Sequence, residues 1–152
     1  MIIDRKGIEE LLPQRDPFLF VDEITELEEG KRIVATYTFP PEADFFRGHF
    51  PGRPLVPGVL LVEAMAQAGG VLAYKTVGFT YKEKGAMLLR LDKVVFRRPV
   101  VPGEKLIMKV QLVHRRDPVS RLKGKISVGD KLCAEATIMA TFTELECTIG
   151  KK

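Results

Sequence analysis

Residues 57–75, Pro57-Gly58-Val59-Leu60-Leu61-Val62-Glu63-Ala64-Met65-Ala66-Gln67-Ala68-Gly69-Gly70-Val71-Leu72-Ala73-Tyr74-Lys75, decide the fold. From Leu55 to Ala73 the only charged side chain is Glu63. A membrane-spanning helix needs about 20 mainly apolar residues, so a span is the first alternative. Pro57, Glu63, Gln67 and the Gly69-Gly70 pair all fall inside the window, and an ionised group at mid-bilayer is expensive. A helix apolar on every side is also what the buried helix of a water-exposed domain looks like. We therefore read a long buried helix from Gly58 to about Lys75. Pro57 sits at its start, where a missing N–H costs little.

The flanking sequence supplies strands to cover that helix. Ile33, Ala35, Tyr37 and Phe39 alternate with Val34, Thr36 and Thr38, a strand period. Phe18 to Leu27 is rich in aromatic and branched residues and reads as another strand, with Glu29-Gly30 as its turn. Four further runs follow: Ala86 to Phe96, Lys105 to Arg116, Ser120 to Val128, and Lys131 to Phe142. Val128-Gly129-Asp130-Lys131 is a tight hairpin signal. Near the start, Asp4 caps a short helix through Ile8, Leu11 and Leu12 that Pro13 ends. Five prolines between Pro40 and Pro57 make that stretch an ordered loop, and a loop of that length in a small domain is more often functional than filler. The expected architecture is α+β, an antiparallel sheet of about six strands wrapped around one long central helix. The helix is too apolar for one chain's sheet to cover, so a second subunit is expected against it.

A chain of 152 residues suits one domain, 1–152, with about 143–152 as a frayed tail. At 45% hydrophobic and 29% charged it is neither disordered nor fibrous. Cys133 and Cys147 have no CxxC or CxxH spacing, so two unpaired thiols are expected and no metal site. No basic n-region with an apolar run opens the sequence, which points to the cytoplasm. The net charge of +4 is spread along the chain, and no zinc-finger, RNP or Gly-rich phosphate motif accompanies it. It fits an acidic partner without requiring nucleic acid.

The chemistry concentrates between Gly48 and Gln67. One of only two histidines, His49, lies in the proline-stiffened loop, and Glu63 is a lone carboxylate near the second turn of the helix. Between them is the helix N-terminus at Gly58. Histidine titrates near neutrality and moves protons. A carboxyl in an apolar setting favours its protonated form and serves as an acid. Free N–H groups at a helix start suit an oxygen gaining negative charge, and glycine there lets a carbonyl approach. Base, acid and oxyanion donor together fit proton removal beside a carbonyl with loss of a β leaving group. Taken singly, a loop histidine is usually a surface residue and a helix glutamate a satisfied core group. Gln67, four residues after Glu63, lies on the same helix face and is placed to support that carboxylate. His114, before Arg115-Arg116, reads as structural or solvated.

Several spaced motifs agree in order and separation. They are Leu12-Pro13 with Arg15 and Pro17-Phe18, Val21-Asp22, Gly48-His49-Phe50-Pro51-Gly52, Pro57-Gly58-Val59-Leu60, Glu63-Ala64-Met65-Ala66-Gln67 and Phe96-Arg97-Arg98-Pro99-Val100-Val101-Pro102-Gly103. In these the sequence resembles the β-hydroxyacyl-acyl-carrier-protein dehydratases of bacterial-type fatty acid synthesis, from about Leu12 to Phe142. The resemblance implies a hot-dog fold. It implies that His49 and Glu63 are the catalytic pair, meeting across a homodimer interface, that the Gly58 amide binds the thioester carbonyl, and that dimers assemble into hexamers. It implies dehydration of a (3R)-hydroxyacyl group on acyl carrier protein to the trans-2-enoyl form, with no cofactor, no nucleic acid and no membrane insertion. Gln14 stands where the family often has His, and Asp16 is also atypical. Glu63, where the sister dehydratase/isomerases carry Asp, favours dehydration without strong isomerase activity. A hot-dog thioesterase and a non-catalytic acyl-binding module are the rival readings. Carrier proteins are acidic, and Arg115, Arg116, Arg121, Lys123 and Lys125 around one hairpin are candidate docking residues, with a solvated strand face as the alternative.

Overall fold

The computed structural model describes residues 2–144. Cys147 and the tail from residue 145 lie outside the described residues. A short helix α1 (Arg5–Leu11) is capped by Asp4, whose side chain accepts from the Gly7 N–H at 2.9 Å. Two strands follow, β1 (Glu23–Glu28) and β2 (Arg32–Thr38), then the long helix α2 (Gly58–Val77). The chain closes with β3 (Gly85–Phe96), β4 (Lys105–Arg116), β5 (Val119–Val128) and β6 (Lys131–Thr143). Thr143, expected at the start of a frayed tail, instead ends β6 opposite Gly85 of β3. The six strands form one antiparallel sheet in the order β1-β2-β4-β5-β6-β3, packed around α2. This is the hot-dog arrangement the sequence implies.

The strand alternation settles which face meets the helix. Leu106, Met108 and Val110 of β4, with Leu122 and Ile126 of β5, are buried, while Lys109, Gln111, Arg121, Lys123 and Lys125 are exposed. Gly124 sits in the buried series because the helix comes very close. A Cβ there would lie 2.9 Å from the Met65 sulfur. The helix itself buries Leu61, Val62, Ala64, Met65, Ala68, Val71, Leu72 and Tyr74, while Val59 in its first turn stays 73% exposed. It stops at Gly78 (φ 89°), whose N–H donates to the Tyr74 carbonyl at 2.8 Å.

The strand expected from Phe18 starts only at Glu23. Side chains take the hydrogen-bonding groups that a neighbouring strand would otherwise pair. Gln67 Oε1 accepts from the Phe20 N–H at 2.7 Å, and Gln67 Nε2 donates to the Phe18 carbonyl at 2.9 Å. Arg5 donates to the carbonyls of Leu19 and Val21, both at 3.2 Å, and pairs with Asp22 at 2.9 Å. Aromatic and branched composition reports burial here, not pairing.

The proline-rich loop holds one short 3-10 turn, Asp44–Arg47, whose Phe46 is buried. At its end the Val56 N–H donates to the Val100 carbonyl at 2.8 Å, which ties the start of α2 to the loop after β3. Strand β3 lies at a sheet edge and carries unusual apolar exposure. Met87, Leu88, Leu89 and Leu91 are 43–48% exposed, so both faces of this edge are bare. Among the described residues no helix is long and apolar enough to cross a membrane.

Candidate active site

Glu63 projects from the second turn of α2 and is partly buried. Gln67, one helical turn on and 2% exposed, donates from Nε2 to Glu63 Oε2 at 2.9 Å. Its other amide hydrogen goes to Phe18 O and its oxygen is taken by Phe20 N–H. Gln67 is thereby fixed at three points, and it fixes one carboxylate oxygen of Glu63 in turn, the supporting role read from its spacing. Burial raises the Glu63 carboxyl above its ordinary value, and the Gln67 hydrogen bond pulls the other way.

The carboxylate opens on a cavity of about 490 Å³, within the range of small-molecule sites. One wall is the α2 face bearing Ala66, Gly70 and Ala73, and the opposite wall comes from β3, β5 and β6. Glu63 is the only acidic or basic side chain among the described residues lining it. Small residues on both walls leave the cavity open, with Ala86 and Ala140 on the sheet side, and its lining is mainly apolar.

His49 lies on the proline-rich loop, partly buried, with its ring stacked on Phe50 at 4.1 Å between centroids. Its Nδ1 is 2.8 Å from the Leu55 carbonyl, an acceptor only, so Nδ1 carries the hydrogen and Nε2 is the basic nitrogen. The loop that places His49 thus also sets its tautomer, a detail the sequence did not disclose. Gly58 starts α2 with Pro57 before it and no side-chain cap. A Cβ on Gly58 would lie 2.9 Å from the Phe96 ring, so any larger residue here would have to displace that ring. Neither His49 nor Gly58 is among the described residues lining the Glu63 cavity. Within one chain the structure joins Glu63 to Gln67 but does not bring His49 into their cavity.

The candidate docking cations separate into two groups. Arg121, Lys123 and Lys125 lie on the outward face of β5. Arg115 stands opposite the buried Ser120, hence on the face turned towards the helix, and is paired with Asp117 at 3.0 Å. Arg116 lies opposite Val119 at the end of the same ladder. The five are therefore not a single patch. Two residues not singled out in the sequence join the outward group. Lys109 lies directly opposite Lys125, and Arg32 lies opposite Gln111, which faces Lys123. Arg32, Lys109, Lys123 and Lys125 line a hollow of about 260 Å³. Only strand register reveals this grouping. Like charges directly opposite each other destabilise a sheet, and such local violations are characteristic of functional surfaces. Among the described residues no group of acidic, histidine and cysteine side chains is arranged to hold a metal ion.

The pattern of a FabA-like domain matches residues 12–137. The chain belongs to the FabA-like family. This FabA-like chain is 43% identical over 95% of its length to the 3-hydroxyacyl-[acyl-carrier-protein] dehydratase FabZ of Hydrogenobaculum sp. strain Y04AAS1, covering 97% of that protein. It is 46% identical over 86% of its length to the FabZ of Erwinia tasmaniensis, 86% of which is covered. Among solved structures it is similar to the dehydratase heterocomplex ApeI:P of Xenorhabdus doucetiae, with a TM-score of 0.76 at 19% identity, covering 95% of this chain and 97% of the other. It also matches smu.793 of Streptococcus mutans UA159 bound to acetyl CoA, with a TM-score of 0.65 at 16% identity, covering 88% and 96%. At these identities the two structures speak for the FabA-like fold alone.

Proposed function

We propose that this FabA-like chain dehydrates (3R)-3-hydroxyacyl groups carried on acyl carrier protein to trans-2-enoyl groups, in the elongation cycle of fatty acid synthesis. The observation that carries the reading is Glu63, a single carboxyl with a raised pKa at the mouth of an apolar cavity and held by Gln67. An apolar cavity suits an acyl chain, and one acid at its mouth suits the one polar bond that must break. The relatives named as FabZ dehydratases support the same step.

The residues divide the chemistry as follows. The Gly58 N–H donates to the thioester carbonyl, stabilising the negative charge that develops when the α carbon loses its proton. His49 Nε2 takes that proton, since Nδ1 is committed to Leu55 O. The β C–O bond breaks as Glu63 donates its proton to the departing hydroxyl, which leaves as water. The C–H electron pair becomes the new double bond, and the imidazolium proton returns to Glu63 through solvent. The step balances without an oxidant or a reductant.

This division needs His49 and Glu63 from different chains. Three features support a homodimer: the bare apolar edge of β3, the exposed Phe50 and Val59 beside the site (46% and 73%), and the separation of His49 from the cavity within one chain. The outward face of Arg32, Lys109, Arg121, Lys123 and Lys125 is the candidate surface for the acidic carrier. One assay tests the chemistry. Purified protein with a 3-hydroxyacyl-carrier substrate is expected to yield enoyl product and water, whereas free carrier thiol would mark a thioesterase and no turnover an acyl-binding module. His49→Ala and Glu63→Gln are each expected to lose about 10²–10⁴-fold. Mixing the two inactive proteins with subunit exchange is expected to restore about a quarter of parental activity, because half the dimers then hold one intact shared site. Verified mixed dimers without activity would rule out the shared site.

A further inference from the structure

The outward face of the sheet holds a cationic hollow that the dehydration chemistry does not use. Lys109 stands directly opposite Lys125 across the β4–β5 ladder, and Gln111 stands opposite Lys123. On the other side of β4, Arg32 of β2 stands opposite Gln111 and Val34 opposite Lys109. These positions form a grid, two residues on each of three adjacent strands. With about 4.8 Å between strands and about 6.6 Å between residues two apart, the grid spans about 10 by 7 Å. Four of its members are cationic and none is acidic. Val34, 6% exposed, is the floor, and the longer side chains form the rim of the hollow of about 260 Å³.

The nearest carboxylates do not neutralise it. Glu26 pairs with Arg32 from β1, and Glu135, opposite Lys125 on β6, is taken by Arg97 at 2.6 Å. Neither lines the hollow. Among the described residues Lys109, Lys123 and Lys125 have no ion pair. Lysines set opposite one another without a counter-ion repel, and an anion seated between them removes that repulsion. A carboxylate brings one charge. A phosphate chain brings several within the same few ångströms, with oxygens on all sides, which suits three ammonium groups and one guanidinium converging from three strands. The helix and the Glu63 cavity lie on the other face of the sheet, so whatever binds here is not the group that reacts.

We propose that the hollow of Arg32, Lys109, Lys123 and Lys125 binds a phosphate chain, a diphosphate or triphosphate that is free or borne on a nucleoside. Its regulatory consequence rests on the carrier face proposed above. The same cations would meet the acidic carrier, so an occupied hollow competes with carrier-borne substrate while the Glu63 cavity stays open.

The test uses the whole protein in buffer without divalent cations, with chloride adjusted to hold ionic strength constant. Calorimetry with inorganic phosphate, diphosphate and triphosphate is expected to show binding that tightens along the series. Joint Lys109→Gln and Lys125→Gln substitution is expected to weaken triphosphate about tenfold, the worth of two exposed charge contacts. Joint Lys6→Gln and Lys82→Gln substitution removes two exposed lysines elsewhere and is expected to leave the affinity within about twofold. Comparison of triphosphate with adenosine triphosphate identifies the source, the tighter binder being the free or the nucleoside-borne chain. Absence of triphosphate binding overturns the site, as does equal weakening by the two double variants. In steady-state assays triphosphate is expected to raise KM for a carrier-borne substrate competitively and to leave KM for a pantetheine thioester unchanged. Binding without that competition upholds the site and overturns carrier docking on this face.

Discussion

Replacing Gln67 with Leu tests whether one side chain organises both the site and the segment beside it. Leu keeps an apolar body of similar size, so the loss is that of hydrogen bonds and not of packing. Three bonds go. The Phe20 N–H belongs to a residue 1% exposed, and leaving a buried donor unpaired costs about 1–3 kcal/mol. Phe18 is exposed, so water replaces much of its lost bond, at about 0.5–1 kcal/mol. Glu63 Oε2 faces the cavity and is rehydrated. The expected loss is about 1.5–4 kcal/mol in urea unfolding at fixed protein concentration. The same variant moves the chemistry in a defined direction. The Gln67 bond lowers the Glu63 pKa, so its removal leaves burial unopposed and the carboxyl rises further. The limb of the pH–rate profile governed by this acid is expected to shift to higher pH. A stability change below about 0.5 kcal/mol, the size of an ordinary surface substitution, would refute the first part of this reasoning. A limb that shifts to lower pH would refute the second.

Glu63→Gln removes a carboxyl whose folded-state pKa is raised. The ionised form therefore weakens folding above that pKa, and the penalty fades as pH falls through it towards the unfolded value. The variant is expected to melt higher than the parent at pH 8, with the difference shrinking on acidification. An advantage that grows in acid contradicts the raised pKa. Reversing Lys123 and Lys125 to Glu should weaken binding of the carrier-bound substrate, flatten or invert its salt dependence, and spare a pantetheine thioester, because only the outward face is altered. Equal losses on both substrates would exclude docking there.

The helix, five of the six strands and the ordered loop were legible because their signals are local. Alternation in β2, β4 and β5 and the Gly129 hairpin repeat without help from distant residues. The start of β1 was misplaced because Arg5 and Gln67, far away in sequence, take its backbone partners. Within the site, the spacing of Glu63 and Gln67 sufficed, since a helix brings i and i+4 together by geometry alone. The tautomer of His49 depends on Leu55 O, a backbone atom that no residue type announces. The basic face was half seen. Lys123 and Lys125 are near neighbours in sequence, while Lys109 and Arg32 join them only through cross-strand register.

The segment Phe18–Asp22 has little ladder of its own, yet Leu19, Phe20 and Val21 are among the most buried residues of the chain, and the Asp22 N–H donates to Thr36 O at 2.7 Å. Residues buried in this way open with the core and not by a separate local fluctuation. Amide exchange at Phe20 is therefore expected to be slow and to follow opening of the core, and the Gln67 amide that holds its N–H stays fixed until then. The Glu63 carboxyl at the mouth of the cavity thus takes its orientation from a side chain anchored in the most protected part of the molecule.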